Sequence, residues 1–68
     1  MDYFDYQSVA TEAKIPPQKL VELERLIHAE FPHDPMMFEL HVLRACMAIR
    51  DHHLTLEEAL TQSSALVA

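Results

Sequence analysis

Cys46 and the histidines at positions 41 and 52 are the residues of this sequence that could supply a nucleophile and its base. A thiolate activated by an imidazole attacks carbonyl carbons, but the oxyanion that results needs a set of hydrogen-bond donors. No glycine-rich loop is available to supply them, because the chain contains no glycine. Cys46 also falls among apolar residues, where a thiol is more often a small buried hydrophobe. The sequence therefore predicts a protein that is not an enzyme.

A metal site is the second chemistry to consider, because Glu24 and His28 lie four positions apart on one predicted helix. Further potential ligands are His33, Asp34, His41, His52 and His53. Their spacing matches no zinc signature, since there is neither a His-Glu-x-x-His motif nor a cysteine pair. Histidines at helix ends commonly bond the free carbonyls there. The sequence predicts no metal and no other cofactor.

A DNA-binding helix-turn-helix is suggested by the short breaks on either side of residues 35–52. The chain carries a formal net charge of −6, however, and the two helices after the breaks begin Met36-Met37-Phe38-Glu39 and Leu56-Glu57-Glu58. Carboxylates at those positions repel phosphates and offer no donors to base edges. Nucleic acid is therefore a disfavoured partner. A small transcriptional or antitoxin-like regulator, whose arginines are gathered into a patch by dimerisation, stays as an alternative.

The acidic side chains give another alternative, an inhibitor or mimic that occupies a basic groove on another protein. The acids that it would use are Glu12, Glu22, Glu24, Glu57 and Glu58. Solvated surface acids are the commoner explanation of such residues.

The elements that must position these side chains are predicted to be helices. Half of the 68 residues are hydrophobic and 24% are charged, which is a globular balance. Tight hairpin turns are hard to build without glycine. We therefore expect a single all-α domain over residues 1–68, a compact bundle of four short helices that dimerisation could complete. Their expected ranges are about 3–14, 17–31, 35–52 and 56–66.

The first two helices are separated by Pro16 and Pro17. Proline ends the first helix and suits the first position of the second. Asp2 is expected to cap the first helix, with Asp5 in its first turn. The inward stripe of that helix is expected to be Tyr3, Tyr6, Ala10 and Ala13.

The two later helices have specific start signals. Asp34 is a good N-cap, and Pro35 suits the first position of the third helix. Thr55 and Glu58 have the spacing of a capping box, in which each side chain satisfies a terminal amide of the fourth helix.

The third helix has apolar residues on two faces, whereas a helix at the surface needs one apolar stripe. The first face is Met36, Leu40, Leu43 and Met47, and the second is Phe38, Val42, Ala45, Cys46 and Ile49. A broad strip between the two faces holds His41, Arg44, Ala48 and Asp51, and a narrow strip opposite holds Glu39 and Arg50. Either the helix is central and its own neighbours cover both faces, or one face closes against a second copy or another protein. The candidate contact residues are Met36, Leu40, Leu43, Met47, Phe38, Val42 and Ile49.

Tyr3 and Phe4 are further candidates, as an aromatic segment flanked by acids that docks on a partner. The alternative is that they pack into the core of their own chain. Taken together, the residues predict a small non-enzymatic interaction or regulatory module that acts by association, with a homodimer as the simplest form. No small-molecule substrate is inferred.

The compartment follows from what the sequence does not contain. The longest apolar run, residues 45–49, is far shorter than the roughly 20 residues of a bilayer span. The sequence shows no secretory h-region, and one cysteine cannot form an intramolecular disulfide. We expect a cytoplasmic protein that does not contact membranes.

Overall fold

Four helices follow one another in the computed structural model, which describes residues 3–62. They are α1 (Tyr6–Glu12), α2 (Pro17–Glu30), α3 (Pro35–Arg50) and α4 (Leu56–Gln62). All regular structure within residues 3–62 is helical, which confirms the predicted fold class. The expected continuation of the fourth helix to residue 66 lies outside the described residues, as does Asp2. None of the helices over this range is long and apolar enough to cross a bilayer.

The predicted starts of α2, α3 and α4 are confirmed. Pro17 and Pro35 each occupy the first turn of their helix. The Asp34 carboxylate accepts the amide hydrogen of Met37 at 3.1 Å. In the capping box, the Thr55 amide donates to Glu58 Oε1 at 2.9 Å, and the Glu58 amide donates to Thr55 Oγ1 at 3.1 Å.

The predicted start of α1 is wrong, because the helix begins at Tyr6 with Asp5 as its N-cap. The Asp5 carboxylate accepts hydrogen bonds from the Ser8 hydroxyl at 2.7 Å and from the Ser8 amide at 3.3 Å. These bonds, led by the one from the hydroxyl, lower the pKa of Asp5. Tyr3 consequently precedes the helix and is not part of its inward stripe.

Helices α1 and α3 each end two residues earlier than predicted, because a residue just beyond each helix adopts a left-handed backbone. Lys14 has a φ of 60° and His52 a φ of 62°. At the end of α1 the Ile15 amide donates to the Ala10 carbonyl, and at the end of α3 the His53 amide donates to the Ala48 carbonyl. Both ends are Schellman motifs, which normally place glycine at the left-handed position. The predicted range of the second helix, 17–31, is one residue longer than α2.

Helix α3 is the centre of the molecule and contacts the other three helices. The buried apolar residues are Tyr6, Ala10, Ile15, Leu23, Ile27, Val42, Cys46 and Ala59. Helix α1 runs in the same direction as α3, because Tyr3 and Phe4 bond to Glu39 at the start of α3 whereas Glu12 pairs with Arg50 at its end. Helix α4 contacts both α2 and α3.

Candidate functional site

The first apolar face of α3 stays partly in solvent. We call it the outer strip, and it consists of Met36, Leu40, Leu43 and Met47. Met36 is 48% exposed and Met47 is 39% exposed, while Leu40 and Leu43 between them are half-buried. These four apolar side chains lie along one side of α3, the longest helix within residues 3–62, where a surface helix carries polar residues.

The second face of α3 is enclosed by the chain itself. Val42 has no exposed surface, and Phe38 and Ile49 are half-buried against the core. The ring of Phe38 meets the rings of Tyr6 and His28 edge to face, at centroid distances of 6.3 and 5.6 Å. Because α1 and α2 pack on this face, Val42 is inaccessible to a partner, and the candidate contact surface narrows to the outer strip.

Glu39 and Arg50, the residues of the narrow polar strip, both bond to other residues of the same chain. Glu39 is only 6% exposed, and its Oε1 accepts the amide hydrogens of Tyr3 and Phe4, both at 3.0 Å. At the other end of α3, Arg50 contacts Glu12 and Asp51, each at 3.1 Å. Sequence reasoning missed that Glu39 is buried, since a lone glutamate beside apolar residues reads as a surface residue.

The aromatic pair before α1 is divided between surface and core. Tyr3 is 54% exposed, whereas Phe4 is half-buried. The backbone of both is anchored to Glu39. The Tyr3 ring is therefore not a core residue and remains at the surface of this chain.

A groove with a volume of about 500 Å³ opens between α2, α3 and α4 with the segment that leads into it. The residues lining it are Leu23, Ile27, Glu30, Phe31, His41, Arg44, Ala45, Ala48, Leu54 and Ala59. The groove exists because Ala45 and Ala48 are too small to fill the space beside α2. The sequence did not predict this groove, although Ala48 lies on the broad strip of α3 between the two apolar faces.

Three polar residues line this groove. The rings of His41 and Phe31 pack at a centroid distance of 4.4 Å, and His41 Nδ1 donates to the Met37 carbonyl at 2.8 Å. Arg44 is exposed, and Glu30 is half-buried with its Oε1 sealed from solvent and without a hydrogen bond among residues 3–62. No ion pair joins Glu30 to Arg44, although both border the same space.

The residues considered for covalent chemistry lie in inert surroundings. Cys46 is fully buried, and this burial raises the pKa of its thiol to about 11, so the nucleophilic thiolate is scarce at neutral pH. Glu24 accepts a hydrogen bond from the buried Tyr6 hydroxyl, and His28 packs against Phe38. Within the described range no three His, Cys, Asp or Glu side chains are grouped so that they could hold a metal ion.

Two of the basic residues within residues 3–62 are paired with acids. Lys19 lies 3.6 Å from Glu22, and Arg50 is held by Glu12 and Asp51. Helix α4 opens with Glu57 and Glu58 in its first turn. These acids oppose a phosphate backbone at the positions where a DNA-binding protein needs donors.

Comparisons of the chain with protein families, with curated protein sequences and with solved structures gave no match.

Proposed function

We propose that this chain is a non-catalytic protein-association module that pairs with a second copy of itself through the outer strip of α3. The observation that carries the proposal is the exposure of Met36 and Met47 on the central helix. Small domains without disulfides bury a limited share of their apolar surface and often complete it by pairing with another chain. The flexible methionine side chains suit such a contact, because they adapt to the opposing surface.

The spacing of the outer strip is self-complementary. Its four residues are separated by four, three and four positions, which is the spacing of a heptad seam. If two copies of α3 cross in opposite directions about a two-fold axis, Met36 of one copy meets Met47 of the other, and Leu40 meets Leu43. The same patch then serves both copies, as a closed two-fold interface requires.

The charges beside the outer strip permit two acidic chains to approach. The formal net charge is −6, yet the side chain next to the strip on its open side is Arg44, and the acid one turn beyond Met47, Asp51, is paired with Arg50. The acid on its other side, Glu39, is buried and bonded. Four side chains make a contact at the small end of protein interfaces, so we expect a reversible dimer with a Kd on the order of 10–100 µM.

Sedimentation equilibrium across that concentration range tests the proposal. Met47→Glu places a charge in the strip and is expected to weaken dimerisation at least about tenfold. The matched control is Val21→Glu, which introduces the same charge at an apolar residue that is 61% exposed on α2. A wild-type chain that stays monomeric to millimolar concentration, or equal effects of the two variants, would overturn the proposal.

The cytoplasm is the location we propose for this module. Cys46 is a free thiol, which suits a reducing compartment.

A further inference from the structure

We propose that the groove between α2 and α3 binds a medium-chain aliphatic carboxylate, with the chain on the apolar floor and the carboxylate at Arg44. None of the four outer-strip residues lines this groove, so the proposal does not depend on self-association.

The size and lining of the groove are those of a small-molecule site. Such sites enclose roughly 300–1,000 Å³ and combine mostly apolar walls with a few polar groups, and this groove has a volume of about 500 Å³. The apolar walls are formed by Leu23, Ile27, Phe31, Ala45, Ala48, Leu54 and Ala59. An unbranched alkyl chain would cover these side chains and exclude water from them.

Arg44 supplies the complementary charge. Its guanidinium forms no ion pair with any acid of the described chain, although the chain as a whole is strongly acidic. A guanidinium offers two parallel N–H groups to a carboxylate, which makes this the head group that it binds best. The neighbouring His41 ring is already fixed by Met37 and Phe31, so this part of the wall is formed before a ligand arrives.

Glu30 is the one acid in the lining, and its charge disfavours an anionic head group placed beside it. Its Oε1 is sealed from solvent, whereas Arg44 is exposed at the same groove. We therefore assign the head group to Arg44, and a cationic ligand tests the opposite assignment to Glu30.

Isothermal titration with octanoate, octanol and octylamine separates the contributions of chain and charge. We expect saturable binding of octanoate with a Kd below roughly 1 mM, and weaker binding of the neutral and cationic compounds. When octanoate binds, the amide resonances of Ala45, Ala48 and Leu54 in the NMR spectrum should shift. Binding of octylamine or octanol as tight as that of octanoate, or binding that does not saturate, would overturn the proposal.

Two variants test the groove itself. Arg44→Gln removes the charge and should weaken octanoate binding about three- to tenfold. Ala48→Leu fills the groove and should weaken octanoate binding at least about tenfold. Arg25→Gln and Ala29→Leu make the same changes at exposed positions of α2 outside the groove and should leave binding within about twofold.

Circular dichroism first establishes that each variant is folded. If Ala48→Leu does not fold, the exposed Arg44→Gln still decides the outcome, and wild-type affinity in that variant contradicts the assignment. Met36→Glu, which charges the outer strip more than two helical turns from Arg44, should bind octanoate normally, which keeps failure of the dimer distinct from failure of this site.

Discussion

Glu39 Oε1 accepts the amide hydrogen of Phe4 at 3.0 Å, across thirty-five positions of sequence. The same oxygen accepts the amide hydrogen of Tyr3. A buried carboxylate is tolerated when it is hydrogen-bonded in this way, and these bonds fix the segment before α1 to the beginning of α3. Together with the Glu12–Arg50 pair they hold α1 alongside α3 in the same direction.

Removing this anchor should destabilise the fold. Glu39→Ala leaves two backbone N–H groups without their acceptor and is expected to lower the free energy of unfolding by about 2–3 kcal/mol. Urea unfolding measures the loss, and hydrogen exchange at Tyr3 and Phe4 should become faster. Glu12→Ala, which removes an exposed ion pair at the other end of α3, should change stability by less than about 1 kcal/mol. Equal losses in the two variants would contradict a special role of the buried carboxylate.

Stability should fall at alkaline pH because of two buried acids. Burial raises the pKa of Cys46 to about 11, and burial followed by the hydrogen bond to Glu24 raises the pKa of Tyr6. Both groups hold their protons more tightly when folded, so unfolding releases protons and stability decreases as pH rises. For Cys46 the stabilisation is complete below the unfolded pKa of about 9 and is lost progressively as the pH rises to the folded pKa of about 11. For Tyr6 it begins to fall above the unfolded pKa of about 10.

The measurement is the urea midpoint as a function of pH. Between about pH 9 and 10 the free energy of unfolding should fall by roughly 1 kcal/mol per pH unit, from Cys46 alone. Cys46→Ala should flatten this part of the curve, whereas Tyr6→Phe should flatten only the part above about pH 10. A curve that is unchanged in Cys46→Ala would rule out the thiol as its origin.

Glycine at the left-handed positions should stabilise the chain. Lys14 and His52 have positive φ angles, which disfavour any residue with a Cβ atom. Lys14→Gly and His52→Gly are each expected to raise the free energy of unfolding by about 0.5–1 kcal/mol, as measured by thermal unfolding. Arg25→Gly, in the exposed middle of α2, should lower it by about 1 kcal/mol. Destabilisation at all three positions would show that the left-handed backbone is not the controlling feature.

The starts of three helices were predictable from the sequence because capping is local. Asp34 acts on an amide three residues ahead, and Thr55 and Glu58 satisfy each other across one turn. Such contacts depend on spacing along the chain and on little else. The same locality explains why the all-helical fold could be predicted from the prolines, the missing glycine and the two-sided pattern of the third helix.

The start of α1 was decided by tertiary structure. The sequence predicted Asp2 as the cap and Asp5 within the first turn, whereas in the folded chain Asp5 is the cap and the amides of Tyr3 and Phe4 before it donate to Glu39. The glutamate that holds these two residues lies on another helix. Nothing in the spacing near residue 5 identifies it.

The candidate site was likewise determined partly by the sequence and partly by tertiary packing. The sequence by itself determined that α3 carries two apolar faces, because a helical repeat fixes which residues share a face. Only the packing of α1 and α2 decided that Val42 is enclosed while Met36 and Met47 stay exposed. The groove also depends on how closely three separate segments approach, since a cavity is the space that packed side chains leave and has no pattern along the chain.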